Sequence, residues 1–148
     1  MSPKGPPRQG WTSPCPSWAS RVRTYPLVLD APDGRQITCS DSEHAAAVWL
    51  LCDPLVWEAV GGFVRDRDGE VAWDRLFAAP PAGAGLYASS EQLLCQAARD
   101  LYCAPLPEFA CGLKRLCGVL DTERLRRVVG GIFLLRPDVM LALQGWEP

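Results

Sequence analysis

Histidine is almost missing from this chain: one residue, His44, stands among 148. A Ser–His–Asp or Cys–His arrangement would need that histidine as its base. No G-x-S-x-G motif supplies a nucleophile, and no Walker A loop or G-x-G-x-x-G turn supplies a phosphate cradle. We expect His44 to cap a helix or to lie at the surface. The sequence predicts that the protein is not an enzyme and uses no cofactor.

Closely spaced cysteine pairs are also missing, although the chain has seven cysteines. Structural zinc sites usually use C-x₂₋₄-C pairs, which bring two thiolates to one ion, and the chain contains no such pair. Because the start of the chain has no apolar signal segment, a disulfide framework is not expected either. We interpret the cysteines as small buried hydrophobic residues and predict no metal site.

Long apolar runs and early acidic residues are absent as well. No run approaches the roughly 18 apolar residues of a membrane span, so we expect no membrane contact and a cytoplasmic location. No acid precedes Asp30, whereas the same stretch contains four bases: Lys4, Arg8, Arg21 and Arg23. Prolines recur through its first half and disfavour a helix. The sequence predicts a disordered, Pro-rich basic arm over residues 1–18, followed by a single α+β domain over residues 19–148.

The first regular structure predicted along the chain is a β-hairpin. Residues 24–30 (TYPLVLD) form an apolar extended run, residues 31–34 (APDG) a turn, and residues 35–39 (RQITC) an alternating run. Pro26 places the first strand at a sheet edge or makes it start later, because proline has no N–H to donate to a ladder. A second hairpin is predicted over residues 63–73, with Asp68 and Gly69 at its tip.

A helix over residues 40–53 is predicted to lie in the middle of the fold. Ser40 and Glu43 have the spacing of a capping box, and the run AAAVWLLC from Ala45 to Cys52 is apolar on every face. A helix without a polar face is normally buried. Pro54 ends this helix or begins a further helical turn.

Three helices are predicted in the C-terminal third, which completes an α+β architecture of small hairpins on a buried helix. The first begins near Ser89 or Ser90. The second has a predicted buried side made of Phe109, Leu113, Leu116, Cys117 and Leu120. Asp121 caps the third, whose predicted buried stripe is Leu125, Val128, Val129 and Ile132. Gly130 and Gly131 either weaken this last helix or permit close packing.

The last two helices also carry a cluster of bases. A helix ending near Cys117 and another beginning at Asp121 have the outline of a helix-turn-helix. Arg124 and Arg127 are expected to share a face opposite the buried stripe. The candidate nucleic-acid-binding residues are Lys114, Arg115, Arg124, Arg126 and Arg127. Acids in the first turn of the last helix instead favour a solvated outer face, with arginine stems covering apolar surface.

Residues 89–135 resemble short uncharacterised proteins of high-GC actinobacteria and their phages. The resemblance rests on SSEQLLCQAARDLY and LDTERLRRVVGGIFLL. In those proteins a Ser-Ser-Gly-Glu start opens one helix and a Leu-Asp-acid motif opens the last; here the glycine is absent and Glu91 follows Ser90 directly. The resemblance implies no activity.

These observations favour a small non-enzymatic protein that binds a protein partner as an accessory or regulatory factor. Aromatic side chains dominate interface energetics, so the candidate anchors are Trp57, Trp73 and Trp146, provided that they are exposed. The alternative is a DNA-binding regulator that uses the segment from Lys114 to Arg127. A homo-oligomer is compatible with either function.

Overall fold

The fold is built around one central helix. The structure, a computed structural model, describes residues 25–78, 89–103 and 112–138. Helix α1 (Ser42–Leu51) packs against both strands and three other helices. Its residues Ala45 to Val48, Leu50 and Leu51 are buried, as its uniformly apolar sequence predicts. The predicted arm over residues 1–18, together with Phe109 and Trp146, lies outside the described residues.

The predicted first hairpin is confirmed. Strands β1 (Leu27–Asp30) and β2 (Gln36–Cys39) pair antiparallel, with Leu29 opposite Ile37. Gly34 adopts a positive φ of 90° in the turn, a conformation that glycine tolerates without a Cβ clash. The strand starts immediately after Pro26, as a residue without an N–H requires.

The second predicted hairpin is reduced to one bridge. Helix α2 (Pro54–Val60) is followed by one turn of 3-10 helix (Gly61–Phe63), and the chain then forms an isolated antiparallel bridge between Val64 and Val71. The turn between them pairs with β2, since Thr38 N–H donates to Asp66 O at 2.7 Å and Ser40 N–H to Asp68 O at 3.1 Å. Helix α3 (Trp73–Ala78) follows directly.

The N-cap of α1 is Asp41, so the predicted capping box of Ser40 and Glu43 is wrong. The Asp41 carboxylate accepts the His44 N–H at 2.9 Å. Ser40 is still engaged as a pairing residue beside β2, and the chain turns into the helix one residue later. Asp53 caps α2 in the same way, accepting from Leu55 N–H and Val56 N–H.

Three helices form the C-terminal part, and the first begins at Ser89 as predicted. They are α4 (Ser89–Tyr102), α5 (Leu113–Val119) and α6 (Thr122–Leu135). Asp121 caps α6 as predicted, accepting the Arg124 N–H at 2.8 Å. Helix α4 buries Leu93, Leu94, Cys95, Ala97 and Ala98 against the core.

The predicted buried sides of α5 and α6 need correction. Helix α5 buries Leu116, and Leu120 beyond its end is also buried, but Leu113 is 79% exposed and Cys117 is exposed. In α6 the buried positions include Phe133 and Leu134, while Ile132 is 36% exposed. Helix α6 contacts both α1 and α4, which turns its glycines inward.

No single helix among the described residues is long and apolar enough to cross a membrane. The segments Ser42–Leu51 and Pro54–Phe63 together have the length and apolar composition of a membrane span, but their axes are bent by 106° relative to each other.

Gly131 is a close-packing position, and its replacement tests this. A Cβ built there would overlap Leu50 Cδ1 and lie 2.9 Å from Leu101 Cδ1, so we expect Gly131→Ala to lower the free energy of unfolding by about 1–3 kcal/mol. Gly118 in α5 has open space around it, so Gly118→Ala is the matched control and should be neutral or stabilising by up to about 1 kcal/mol. Urea unfolding of both variants measures the difference; equal effects would contradict close packing at Gly131.

Candidate functional site

The arginines of α6 point mainly inward, contrary to the predicted outer face. Arg127, Gly131 and Leu134 are spaced i, i+4, i+7, which places them on one side of a helix. That side packs on α1, where Gly131 meets Leu50 and the carbonyl of Ala46. The expectation that Arg124 and Arg127 lie opposite the buried stripe is therefore wrong, and both make contacts within the protein.

Arg124 joins the starts of three helices. Its Nε donates to Asp53 Oδ2 at 3.1 Å, and its Nη1 donates to Ser90 Oγ at 3.0 Å. The side chains of Arg124 and Asp53 are only 13% and 12% exposed. Burial opposes the charge of Arg124, but the hydrogen bond to Asp53 and the charges of Asp53, Glu91 and Asp121 together outweigh it and raise the pKa of the guanidinium.

The other predicted nucleic-acid-binding residues remain at the surface. Lys114 and Arg115 are exposed on α5, and no ion pair joins them to any residue in the described part of the chain. Arg126 is also exposed and pairs with Glu123 at 3.1 Å. The structure thus leaves three of the five candidate bases accessible.

Two of the three candidate tryptophan anchors are buried rather than exposed. Trp57 is 3% exposed and Trp73 is 8% exposed. Trp57 lies beneath the Arg35 guanidinium, whose carbon is 5.3 Å from the ring centroid, and Trp73 stacks with Phe77 at 6.1 Å. Both rings belong to the core and cannot serve as anchors on a free surface.

His44 is held between two carboxylates. Its Nδ1 lies 2.7 Å from Asp41 Oδ1 and its Nε2 lies 2.8 Å from Glu70 Oε2, while Tyr102 packs edge-on against the ring. Burial lowers the pKa of the imidazole, but the hydrogen bonds to Glu70 and Asp41 outweigh burial and raise it. With both nitrogens engaged, the ring ties the start of α1 to the turn after Val64 instead of offering a free base.

The buried cysteines carry unreactive thiols. Burial raises the pKa of Cys39, Cys52 and Cys95 to about 12, which keeps each in the protonated form at neutral pH. Among the residues that the structure describes, no group of three or more His, Cys, Asp or Glu side chains could hold a metal ion.

Strand β1 has one unpaired edge within the described part of the chain. Thr38 N–H turns away from β1 to Asp66, so the opposite pair, Val28 and Thr38, does not exchange hydrogen bonds. The Ala31 N–H donates to Arg35 O, and because bonded and non-bonded pairs alternate in an antiparallel ladder, Asp30 also faces outward. The N–H and C=O groups of Val28 and Asp30 have no backbone partner among the described residues.

A cavity of about 200 Å³ adjoins this edge. It is lined by Val28, Leu29 and Asp30 from the edge strand, and by Trp49 and Cys52 from the end of α1. Drug-sized ligands usually occupy pockets of roughly 300 Å³ or more, so this cavity suits a single side chain. Because side chains alternate along a strand, the exposed side chains of Val28 and Asp30 lie on the outer face, and the buried side chain of Leu29 lies on the α1 face.

The cavity wall is fixed by a reciprocal contact between α1 and α6. Trp49 Nε1–H donates to Arg127 O at 3.0 Å, and Arg127 Nη1 donates to Trp49 O at 2.7 Å. The Arg127 guanidinium carbon lies 4.5 Å from the centroid of the Trp49 ring. A cation at this carbonyl also complements the negative end of the α1 dipole.

Sequence reasoning found the edge strand but missed the cavity and its wall. Pro26 predicted an edge strand or a later strand start, and β1 starts at Leu27. Nothing local in the sequence connects Trp49 with Arg127, which is 78 residues away. No protein family, curated protein or solved structure matches the chain.

We predict that the His44 clamp makes stability depend on pH. A histidine whose pKa is raised by folding stabilises the protein fully below its unfolded value of about 6.5, and this contribution is lost as pH rises through the folded value. Glu70→Gln should therefore reduce the fall in unfolding free energy between about pH 6 and pH 9. Glu43→Gln, an exposed acid on the same helix, is the control. An unchanged pH dependence in Glu70→Gln, measured by urea unfolding, would count against the clamp.

The unpaired edge predicts an alternating pattern of amide exchange. The Val28 and Asp30 N–H groups should exchange with solvent faster than Leu29 N–H, which faces β2 in a bonded pair with Ile37. Residue-resolved hydrogen exchange by NMR measures all three on one strand. Slow exchange at Val28 and Asp30 in a dilute sample would mean that another part of the chain already covers the edge, and slowing only at high concentration would indicate a second copy.

Proposed function

We propose that this protein is a non-enzymatic interaction module that binds an extended segment of a partner protein along β1. The observation that carries the proposal is the outer edge of β1, which has no backbone partner in residues 25–78, 89–103 and 112–138, beside a cavity of the size of one side chain. In strand addition, main-chain hydrogen bonds supply affinity, and pockets for alternate side chains supply specificity. The edge of β1 supplies the main-chain hydrogen-bonding groups, and the cavity supplies one side-chain pocket.

The main-chain part of this binding is small and well defined. Val28 and Asp30 offer two N–H donors and two C=O acceptors on the outward side of β1. A segment that pairs with both residues satisfies all four groups at once. Val28 is 51% exposed, so an added strand also covers apolar surface on the outer face.

The side-chain part follows from the alternation of a strand. A partner residue opposite Leu29 projects its side chain to the α1 face, toward the cavity walled by Trp49 and Cys52. The Cys52 thiol stays protonated because burial raises its pKa to about 12, so these two walls carry no formal charge. A small apolar side chain suits this position.

The distribution of bases supports protein binding over the nucleic-acid alternative. Arg124 and Arg127 are committed to Asp53 and Trp49, and Arg126 is paired with Glu123. Phosphate binding depends on several accessible cations acting together. In the segment from Lys114 to Arg127, only Lys114 and Arg115 are exposed bases that form no ion pair with a described residue. Nucleic-acid binding through them stays a prediction.

We predict that Val28→Pro abolishes peptide binding without unfolding the protein. Proline removes an N–H that points away from β2 and is tolerated on edge strands, so the hairpin should persist. Peptides selected from a random short-peptide library on the full chain should bind Val28→Pro at least about tenfold more weakly, since a hydrogen bond is lost and the added strand is displaced.

Val28→Thr is the matched control, because threonine keeps the N–H and suits a strand. Affinities for both variants are measured by fluorescence anisotropy, with circular dichroism to confirm folding. Equal binding by the two variants would exclude β1 as the docking edge. Selected peptides should also slow amide exchange at Val28 and Asp30.

A further inference from the structure

Asp30 is the one charged residue on the outer face of the hairpin strands. Because side chains alternate along a strand, that face is made of two residues from each strand: Val28, Asp30, Gln36 and Thr38. The acids Asp33 and Asp66 both pair with Arg35. The exposed carboxylate of Asp30, in contrast, forms no ion pair or hydrogen bond with a residue in 25–78, 89–103 and 112–138.

The backbone of Asp30 determines what an added strand places beside this carboxylate. Its N–H and C=O face away from β2, so a docked strand exchanges both bonds with it. The partner residue opposite Asp30 then projects its side chain to the same face, with the two Cβ atoms roughly 5 Å apart. On the other side, Asp30 is paired with the neutral Gln36. Opposite charges in such a pair stabilise it and like charges destabilise it.

A second copy of the chain does not supply the complementary charge. The antiparallel self-pairing that bonds Val28 and Asp30 of both copies is centred on Leu29, which lies opposite itself. In that arrangement each Asp30 lies opposite Val28, an apolar residue, and neither carboxylate gains a cation. The residues of the edge therefore favour a segment of a different protein.

We propose that the segment docking on β1 carries a lysine or arginine opposite Asp30. This inference rests on the proposed strand addition and defines the partner by three successive positions. A β-branched residue opposite Val28 covers a side chain that is 51% exposed, and a small apolar residue opposite Leu29 points to the cavity. The base follows opposite Asp30. The partner is thus an extended segment in which a β-branched residue and a base flank a small apolar residue.

The test screens a library of random short peptides against the full chain. Binders should be enriched in a base two positions from a β-branched residue. Replacing that base with glutamine in the tightest binder should weaken its affinity about two- to fivefold, the range expected for one cross-strand charge pair. In Asp30→Asn the original and glutamine peptides should bind equally, because the group that distinguishes them is gone.

Asp74→Asn is the matched control, since it removes the same charge from an exposed acid on α3. This variant should keep the preference for the basic peptide. Asp30→Lys should in turn prefer a peptide with glutamate in place of the base. The glutamine peptide tests the charge pair on the unmodified protein, so the result does not depend on the folding of any variant.

Equal affinity of the basic and glutamine peptides for the unmodified protein would overturn the inference. If such peptides still lose binding to Val28→Pro, strand addition stands without the charge pair. A dimer of the full chain that Val28→Pro dissociates, measured by analytical ultracentrifugation, would assign the edge to a second copy and also overturn the inference. If the library yields no binder, the proposed function fails as well.

Discussion

The fold depends on the need to cover α1 on every side. A helix that is apolar all round can be stable only inside a protein, and α1 is surrounded by the hairpin, α2, α4 and α6. Small residues make this enclosure tight, since Ala45, Ala46 and Ala47 are fully buried and Gly131 allows α6 to approach Leu50. At the C-terminal end of α1 a cavity lies between Trp49, Cys52 and β1. The candidate site thus lies at the end of the central helix.

Arginines connect the surrounding elements to one another. Arg124 joins the starts of α2, α4 and α6 through Asp53 and Ser90, and Arg35 donates from the hairpin to the carbonyls of Gly61 and Val64. Long side chains with fixed multiple donors suit such links because they reach several acceptors from one backbone position. A cluster of bases along a sequence can therefore form either an exposed cationic face or a set of contacts within the protein. In α6, Arg124 and Arg127 form contacts within the protein.

The features that could be read from the sequence are those decided by near neighbours. Asp121 begins α6, glycine at position 34 permits the turn, and β1 starts only after Pro26, each through the chemistry of adjacent backbone groups. The roles of Trp57, Trp49 and Arg127 depend on partners tens of residues away. Trp57 is buried under Arg35, a contact that no spacing along the chain reveals. The α+β architecture was therefore predictable, whereas the cavity and the contact between Trp49 and Arg127 were not.

An open strand edge is a hazard unless something limits what can pair with it. Strand β1 has four residues, and only Val28 and Asp30 turn their backbone groups outward, so main-chain bonds alone give little affinity for an arbitrary strand. Binding becomes selective when those few bonds must act together with a side chain of the right size in the cavity. The Arg127–Trp49 contact fixes the wall of that cavity through two reciprocal hydrogen bonds, so its shape is set before any partner arrives. A short edge beside a preformed cavity favours recognition of one kind of segment over indiscriminate strand pairing.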